Sequence, residues 1–432
     1  MHDFSYVGNK LFCEGVAVET LAKKFGTPLY VYSQRTLTNH FQNLDTALAP
    51  LDHLVCYAMK SNSNLAVLRT IADLGGGFDI VSGGELRRVI AAGGDPRKCV
   101  FAGVGKSETE IEFASRNNIY CFNVESEPEL QRINRVAARL KKIAPVAVRV
   151  NPNVGANTHA KITTGTYENK FGIAFENIAG VYARASKLKN LRLRGLQMHI
   201  GSQITETTPF EQAVKKVLPL VKNLATKHAL EFFSIGGGLG IIYQPALASG
   251  DSNWWKSASA KNVLTPAKYA ARLVPLLQPL GLKILLEPGR FISGNAGILV
   301  TRVEYVKRTG KKNFLIVDAA MNDLIRPAFY DAYHEIVPLM KKSGAKISSD
   351  AVGPICESGD YFCKDRPLPK LGEGDRIALL SAGAYGSVMG SNYNARPLPV
   401  EVLVNGKKFA AVRERQAVEK IWVDEKIAPW QK

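Results

Sequence analysis

Lys60 stands just past the apolar run "HLVCYA" and is followed by the polar stretch "SNSN". A lysine there can carry its ammonium to the surface on a flexible stem. It can also be a reactive amine, able to condense with a carbonyl group where a buried strand hands over to a loop. Partial desolvation at such a place readies the amine for that chemistry. Four other apolar runs end in or near useful groups: Asp79 in "GFDIV", His199 in "GLQMHI", the glycines of "GGGLG" (236–240), and Glu287 with Arg290 in "EPGR". Cys356 and Glu357 lie in "GPICESGD", a loop-like context. Cys56, Cys99 and Cys121 instead sit inside apolar runs, where a thiol serves as a small core group.

The elements that must hold these groups follow from the hydrophobic pattern. Eight β-rich apolar runs cover 53–58, 77–81, 98–103, 119–124, 146–151, 195–200, 231–237 and 283–288. They are continuous rather than alternating, which suits parallel strands covered on both faces. Helical patterns fill the gaps. Ser82 and Glu85 have capping-box spacing, Thr208 precedes Pro209 as an expected N-cap, and Thr265 precedes Pro266 in the same way. This alternation predicts a (β/α)8 TIM-like barrel over 27–290, with an open doubly wound sheet as the alternative. The helix missing after the last strand is supplied by 33–49.

Beyond 290 the pattern changes. "GILVTRVEYVKRT", "NFLIVDAA", "DRIALLSAG", "VEVLVNG" and "FAAVRER" read as antiparallel strands. They predict a β-rich domain of 291–432 joined by 1–26. The polar stretch 244–263 reads as a surface insertion with no assigned role.

The chain has 432 residues, 46% hydrophobic and 22% charged, a composition suited to globular domains with full cores. No run is long and apolar enough to cross a membrane, and the first residues lack a signal-peptide layout, so a cytoplasmic location is expected. Six cysteines without CxxC or zinc-like spacing predict neither a disulfide framework nor a metal site. The net charge of +18 raises the question of nucleic acid. The lysines are spread along helix faces and no nucleic-acid motif is found, so solvated basic faces are the reading.

In (β/α)8 enzymes the site lies at the C-terminal ends of the strands. Lys60, Asp79, His199, the glycine loop and Glu287 with Arg290 all fall there. "GGGLGI" fails the dinucleotide spacing because Ile241 stands where the third glycine belongs. Its backbone N–H groups can still cradle a phosphate, and the same residues also suit a tight strand–helix turn. An amine, a phosphate cradle and a carboxylate on one rim point to pyridoxal 5′-phosphate. Glu287 is then the group that keeps the pyridine nitrogen protonated.

The motifs "YAMKSN", "FDIVSGGEL", "MHIGSQI", "GGGLG", "EPGR", "CESGD" and "AGAYG" resemble, in order, those of the fold-type III pyridoxal-phosphate decarboxylases. The resemblance runs from about Gly26 to Arg396. It implies that Lys60 carries the cofactor, that His199 stacks on its ring, and that Glu287 pairs with its nitrogen. It further implies that Ser202, Gly236, Gly237, Gly238 and Tyr385 lie at the phosphate, with Asp79, Gly289 and Arg290 also on the cofactor. Substrate recognition falls to Arg290, Arg326, Tyr330, Glu357 and Tyr385, with "MNDLIRPAFYDAYH" as the specificity segment. Cys356 is the implied proton donor, reaching with Glu357 into the site of a neighbouring subunit, so the resemblance implies a homodimer with shared active sites.

The arginines suit a distal carboxylate and Glu357 a distal ammonium. The implied reaction is therefore decarboxylation of meso-2,6-diaminopimelate to L-lysine, with sister activities on ornithine, arginine or carboxynorspermidine as the alternative. A regulatory homologue without activity is a further rival, and the presence of both Lys60 and Cys356 speaks against it. The segment 151–173 resembles a lid over the site. The family commonly has Ala, Ser and Pro where this chain has Ser61, Asn169 and Ile242.

Overall fold

The computed structural model describes residues 1–155 and 170–431. The chain forms two compact units. One comprises Thr36–Ile241 and Asn253–Gly294, the other Met1–Arg35, Ile242–Ser252 and Asn295–Lys432.

The first unit is a closed parallel barrel. Its strands are β1 (His53–Ala58), β2 (Gly77–Ile80), β3 (Cys99–Phe101), β4 (Cys121–Val124), β5 (Ala144–Asn151), β6 (Leu191–Met198), β7 (Phe232–Ser234) and β8 (Lys283–Leu286). Each pairs in parallel with the next, and β8 pairs with β1 to close the ring. All eight expected strands are present, and the doubly wound alternative is excluded by this closure. Helices follow the strands through β7, and Gln34–Ala47 precedes β1. His40 of that helix packs against the segment after β8, its ring 5.4 Å from Phe291 and its Nδ1 3.2 Å from the Ile292 carbonyl.

The caps follow the local sequence with two differences. Ser82 Oγ accepts the Glu85 N–H, but the Glu85 carboxylate turns to the N–H of Val81 rather than that of Ser82. Thr208 starts its helix, and that N-terminus has no side-chain cap. Proline at N1–N2 leaves one donor fewer to satisfy. Thr265 caps as expected, accepting from Lys268 N.

The barrel interior is layered by the period-2 alternation of strands. Cys56, Val100, Cys121, Ala147, Phe232 and Leu285, from six strands, form one buried apolar cluster. Two residues further along these strands come Ala58, Ala102, Asn123, Arg149, Ser234 and Glu287. An apolar plug thus supports a largely polar floor at the C-terminal end.

The second unit contains a mixed sheet and a small antiparallel sheet of Phe4–Val7, Lys10–Cys13 and Val16–Ala17. Gly297–Arg308 pairs antiparallel with Asn313–Val317, Arg376–Leu379 and Leu29–Ser33. Val400–Asn405 and Lys408–Arg413 form an antiparallel pair. The unit is mostly antiparallel, as expected, with parallel pairings at two places. Leu29–Ser33 runs parallel to Val400–Asn405, and Asn313–Val317 parallel to Lys346–Val352. The cause in the first case is connectivity: a strand from the N-terminal region is inserted into the middle of a C-terminal sheet. The stretch 244–263 is not wholly superficial. Ala246 is buried in the core of this unit, and its carbonyl lies 2.7 Å from His2 Nε2.

Gly195 in β6 shows how tightly the barrel is filled, because a Cβ there would lie 2.6 Å from the Phe232 ring. Gly195→Ala is expected to cost about 1–3 kcal/mol through overpacking. Urea denaturation checks this, and an unchanged midpoint would contradict it.

Candidate active site

Glu287 lies just past β8 and is buried. Three other strands supply its partners. Ser234 Oγ donates to Oε1 at 2.7 Å, Asn123 Nδ2 to Oε1 at 3.2 Å, and Gln197 Nε2 to Oε2 at 2.9 Å. None of these three was singled out from the sequence. The available signal was a lone polar residue at interior parity within an apolar strand, as in "CFNV" and "FFS". Burial pushes the Glu287 carboxyl up, to about 7, and the charge of Asp79 adds to the effect. The hydrogen bonds from Ser234 and Gln197 pull the other way.

Lys60 lies in the single 3-10 turn Met59–Ser61 after β1. Its Nζ donates to Asp79 Oδ2 at 3.0 Å. The Asp79 side chain is 1% exposed and that of Lys60 41%. The Lys60 side chain is thus partly withdrawn from water, in keeping with its strand-end position. It is ion-paired to a buried carboxylate and remains open to an incoming group.

His199 follows β6. Its Nδ1 accepts the Gly237 N–H at 3.2 Å, which leaves Nε2 as the protonated nitrogen of a neutral ring. Burial drives its pKa well below the ordinary value, and the cations Arg149 and Lys60 act in the same direction. Gly236 N–H turns to Ser234 Oγ at 3.3 Å. Two of the three loop N–H groups are thus engaged within the chain. The loop needs glycine for another reason as well. A Cβ at Gly236 would lie 2.3 Å from the Met198 carbonyl, and one at Gly237 2.1 Å from that of Glu287. The turn is threaded between the ends of β6 and β8.

Gly289 makes a similar close approach, with a Cβ position 3.0 Å from the Ala58 carbonyl, beside the turn that carries Lys60. Arg290 is buried, and its Nη2 donates to Ser202 Oγ at 3.3 Å. A guanidinium and a hydroxyl beside a glycine turn can hold a phosphate. The floor adds Arg149, paired with Glu125 at 2.9 Å. Arg149 Nη2 and Asp79 Oδ1 are buried without hydrogen-bond partners among the described residues. Such atoms mark a pocket that completes its bonding with a bound group. An amine, a buried carboxylate and a separate anion site fit pyridoxal 5′-phosphate.

The barrel unit thus gathers Lys60, Asp79, His199, Ser202, Gly236, Gly237, Gly238, Glu287, Gly289 and Arg290. The other expected residues belong to the β unit. Arg326 opens the short helix Arg326–Tyr330 and is buried, and Tyr330 packs edge-on against Phe329. Cys356 is exposed, whereas the other five cysteines are buried. Its N–H donates to Asn394 Oδ1 at 3.1 Å, and Glu357 is bonded by the Tyr393 hydroxyl. Tyr385 adopts a left-handed backbone, φ 55°. Asp360, not named from the sequence for any role, accepts from Met321 N at 2.7 Å and Ile355 N at 2.8 Å. One carboxylate thereby ties the segment of Arg326 to the loop of Cys356. Of the expected lid, residues 156–169 lie outside the described residues.

The family model described as "Pyridoxal-dependent decarboxylase, pyridoxal binding domain" matches residues 34–294. A diaminopimelate decarboxylase of Neisseria meningitidis serogroup B is 50% identical over 416 residues, 96% of this chain and 97% of the relative. One from Pseudomonas aeruginosa is 49% identical, covering 99% of this chain and 100% of its own. The crystal structure of diaminopimelate decarboxylase from Helicobacter pylori complexed with L-lysine superposes with a TM-score of 0.87 at 40% identity, covering 94% of this chain and 99% of that one.

The raised pKa of Glu287 has a consequence for the cofactor-free protein. The folded state holds this proton more tightly than the unfolded chain does. That contribution to stability is full below the unfolded value of about 4.3 and is lost as pH rises through about 7. Glu287→Gln removes the dependence. The variant should gain in Tm relative to the wild type between pH 5 and pH 8, and parallel curves would count against the burial argument.

Proposed function

The chain belongs to the pyridoxal-dependent decarboxylase family, and from that premise we propose that it converts meso-2,6-diaminopimelate to L-lysine and CO2, the last step of lysine biosynthesis. The observation that carries this reading is its likeness over nearly its whole length to diaminopimelate decarboxylases, one of them solved with L-lysine. The cofactor is pyridoxal 5′-phosphate. When bound, it supplies an aldehyde that takes up the substrate amine and a pyridinium ring that accepts the electron pair left as CO2 departs.

The chain's own residues do the rest. Lys60 Nζ is the covalent anchor, and Asp79, at 3.0 Å, orients it. Glu287 holds a proton on the ring nitrogen, and Ser234, Asn123 and Gln197 fix the carboxylate for that task. His199, a neutral flat ring oriented by Gly237, covers one face. Ser202, Arg290 and Gly238 bind the phosphate with Tyr385. Arg326 and Tyr330 take the distal carboxylate of the substrate, and Glu357 its distal ammonium. Cys356 Sγ gives its proton to the carbon that has lost CO2 and recovers one from water. Its exposure suits delivery into the site of a second copy, so the working form is a homodimer with shared sites. The barrel unit binds the cofactor and the β unit completes the site across that dimer. No helix among the described residues is long and apolar enough to cross a membrane. The enzyme works in the cytoplasm.

Two measurements test this reading. Purified protein supplied with the cofactor should form L-lysine from meso-diaminopimelate, and CO2 release from ornithine alone would favour the sister activity instead. Lys60→Ala should abolish turnover together with the absorbance of the lysine-bound cofactor. Persistence of both signals would remove Lys60 from its role.

A further inference from the structure

His334 is a buried titratable residue that the mechanism above does not use. Its side chain is 0% exposed, inside the β unit. Both ring nitrogens are engaged. Nδ1 lies 2.8 Å from the Leu380 carbonyl, and Nε2 2.7 Å from Arg326 Nη1. A carbonyl only accepts, so the ring proton sits on Nδ1. A guanidinium only donates, so Nε2 must present its lone pair. The two contacts together admit one state of the ring, neutral and protonated at Nδ1. A second ring proton would set donor against donor.

The ring is itself held in place. Its main-chain carbonyl accepts from Arg366, and the Tyr243 ring meets it edge-on at 5.5 Å. Arg326 lies over the same Tyr243 ring, 4.9 Å from its centre. Its guanidinium is therefore fixed twice, by a hydrogen bond from Nη1 and by a cation–π contact with the Tyr243 ring. The backbone makes this possible. The helix Arg326–Tyr330 ends at Asp331 in the left-handed region, φ 51°, and the Ala332 N–H returns to the Arg326 carbonyl. This turn brings His334 back to the residue that began the helix.

We infer that His334 is a positioning residue for substrate specificity: it holds the Arg326 guanidinium in the one orientation that receives the distal carboxylate of the amino-acid substrate. The inference rests on the proposed role of Arg326 and goes beyond it by saying what fixes that arginine. A long arginine free to rotate pays side-chain entropy on binding, whereas one already fixed does not. The contribution should therefore appear in affinity for ligands that bear the distal carboxylate, and not in the chemical step.

Two inhibitors separate this role from a merely structural one. L-lysine keeps the distal carboxylate, and 1,5-diaminopentane is the same skeleton without it. In the holoenzyme, His334→Leu, which can neither accept from Arg326 nor donate to Leu380, should raise KM for meso-diaminopimelate and the inhibition constant of L-lysine roughly tenfold, the scale of one hydrogen bond to a charged group. The inhibition constant of 1,5-diaminopentane, kcat and the absorbance of the bound cofactor should stay as they were. His334→Gln, whose amide can serve both partners, should restore most of the affinity for L-lysine. If the leucine variant does not fold, His334→Asn carries the same expectation, because it is too short to span both partners. Arg326→Gln is the control for the underlying reading. If it leaves L-lysine inhibition unchanged, the role of Arg326 is wrong. If it weakens L-lysine alone while the His334 variants weaken neither inhibitor, or both equally, Arg326 keeps its role and the inference about His334 is overturned.

Discussion

A carboxylate buried at the end of a barrel strand is an expensive object, and most of this site is arranged around one. Glu287 sits where burial opposes its charge, and three strands each contribute a neutral donor to hold it. Those donors can face it only because β4, β6 and β7 present interior residues at the same level. That level depends in turn on the apolar layer below, from Cys56 to Leu285. Hydrogen bonds from neutral groups fix the geometry without cancelling the charge, which stays available for a cationic partner. The ion pair of Lys60 with Asp79 is the second half of the arrangement: it keeps the amine in place while leaving it open.

Much of this was legible in the sequence, and the reasons are specific. The eight apolar runs were readable because parallel strands covered on both faces are continuous in hydrophobicity. The rim residues were readable because strand ends are where a barrel places its chemistry. What the runs could not reveal was lateral partnership. Asn123, Gln197 and Ser234 are far from Glu287 in the chain, and only strand register brings them to it. The same limit applied to the β unit. Leu29–Ser33 is a fully buried strand, yet its insertion between Gly297–Arg308 and Val400–Asn405 depends on pairings across more than 250 residues. The glycine loop was read chiefly as a phosphate cradle, and its glycines prove to be needed also for close backbone passage between β6 and β8.

The β unit repeats the same logic with other groups. Asp360 joins the segment of Arg326 to the loop of Cys356, and His334 with Tyr243 fixes the Arg326 guanidinium. In both units the residue proposed to meet a ligand is held by buried polar neighbours with no other evident task. Precise placement of a flexible side chain requires such support, since a loose arginine or thiol loses much of its effect.

On the proposed function, the Glu287 carboxylate sustains the positive ring nitrogen during loss of CO2. The direct test is kcat for meso-diaminopimelate in cofactor-loaded Glu287→Gln, with cofactor occupancy read by absorbance. We expect a fall of about 100-fold or more with the cofactor still bound, the scale of losing a preorganised electrostatic group. An unchanged kcat at full occupancy would contradict it.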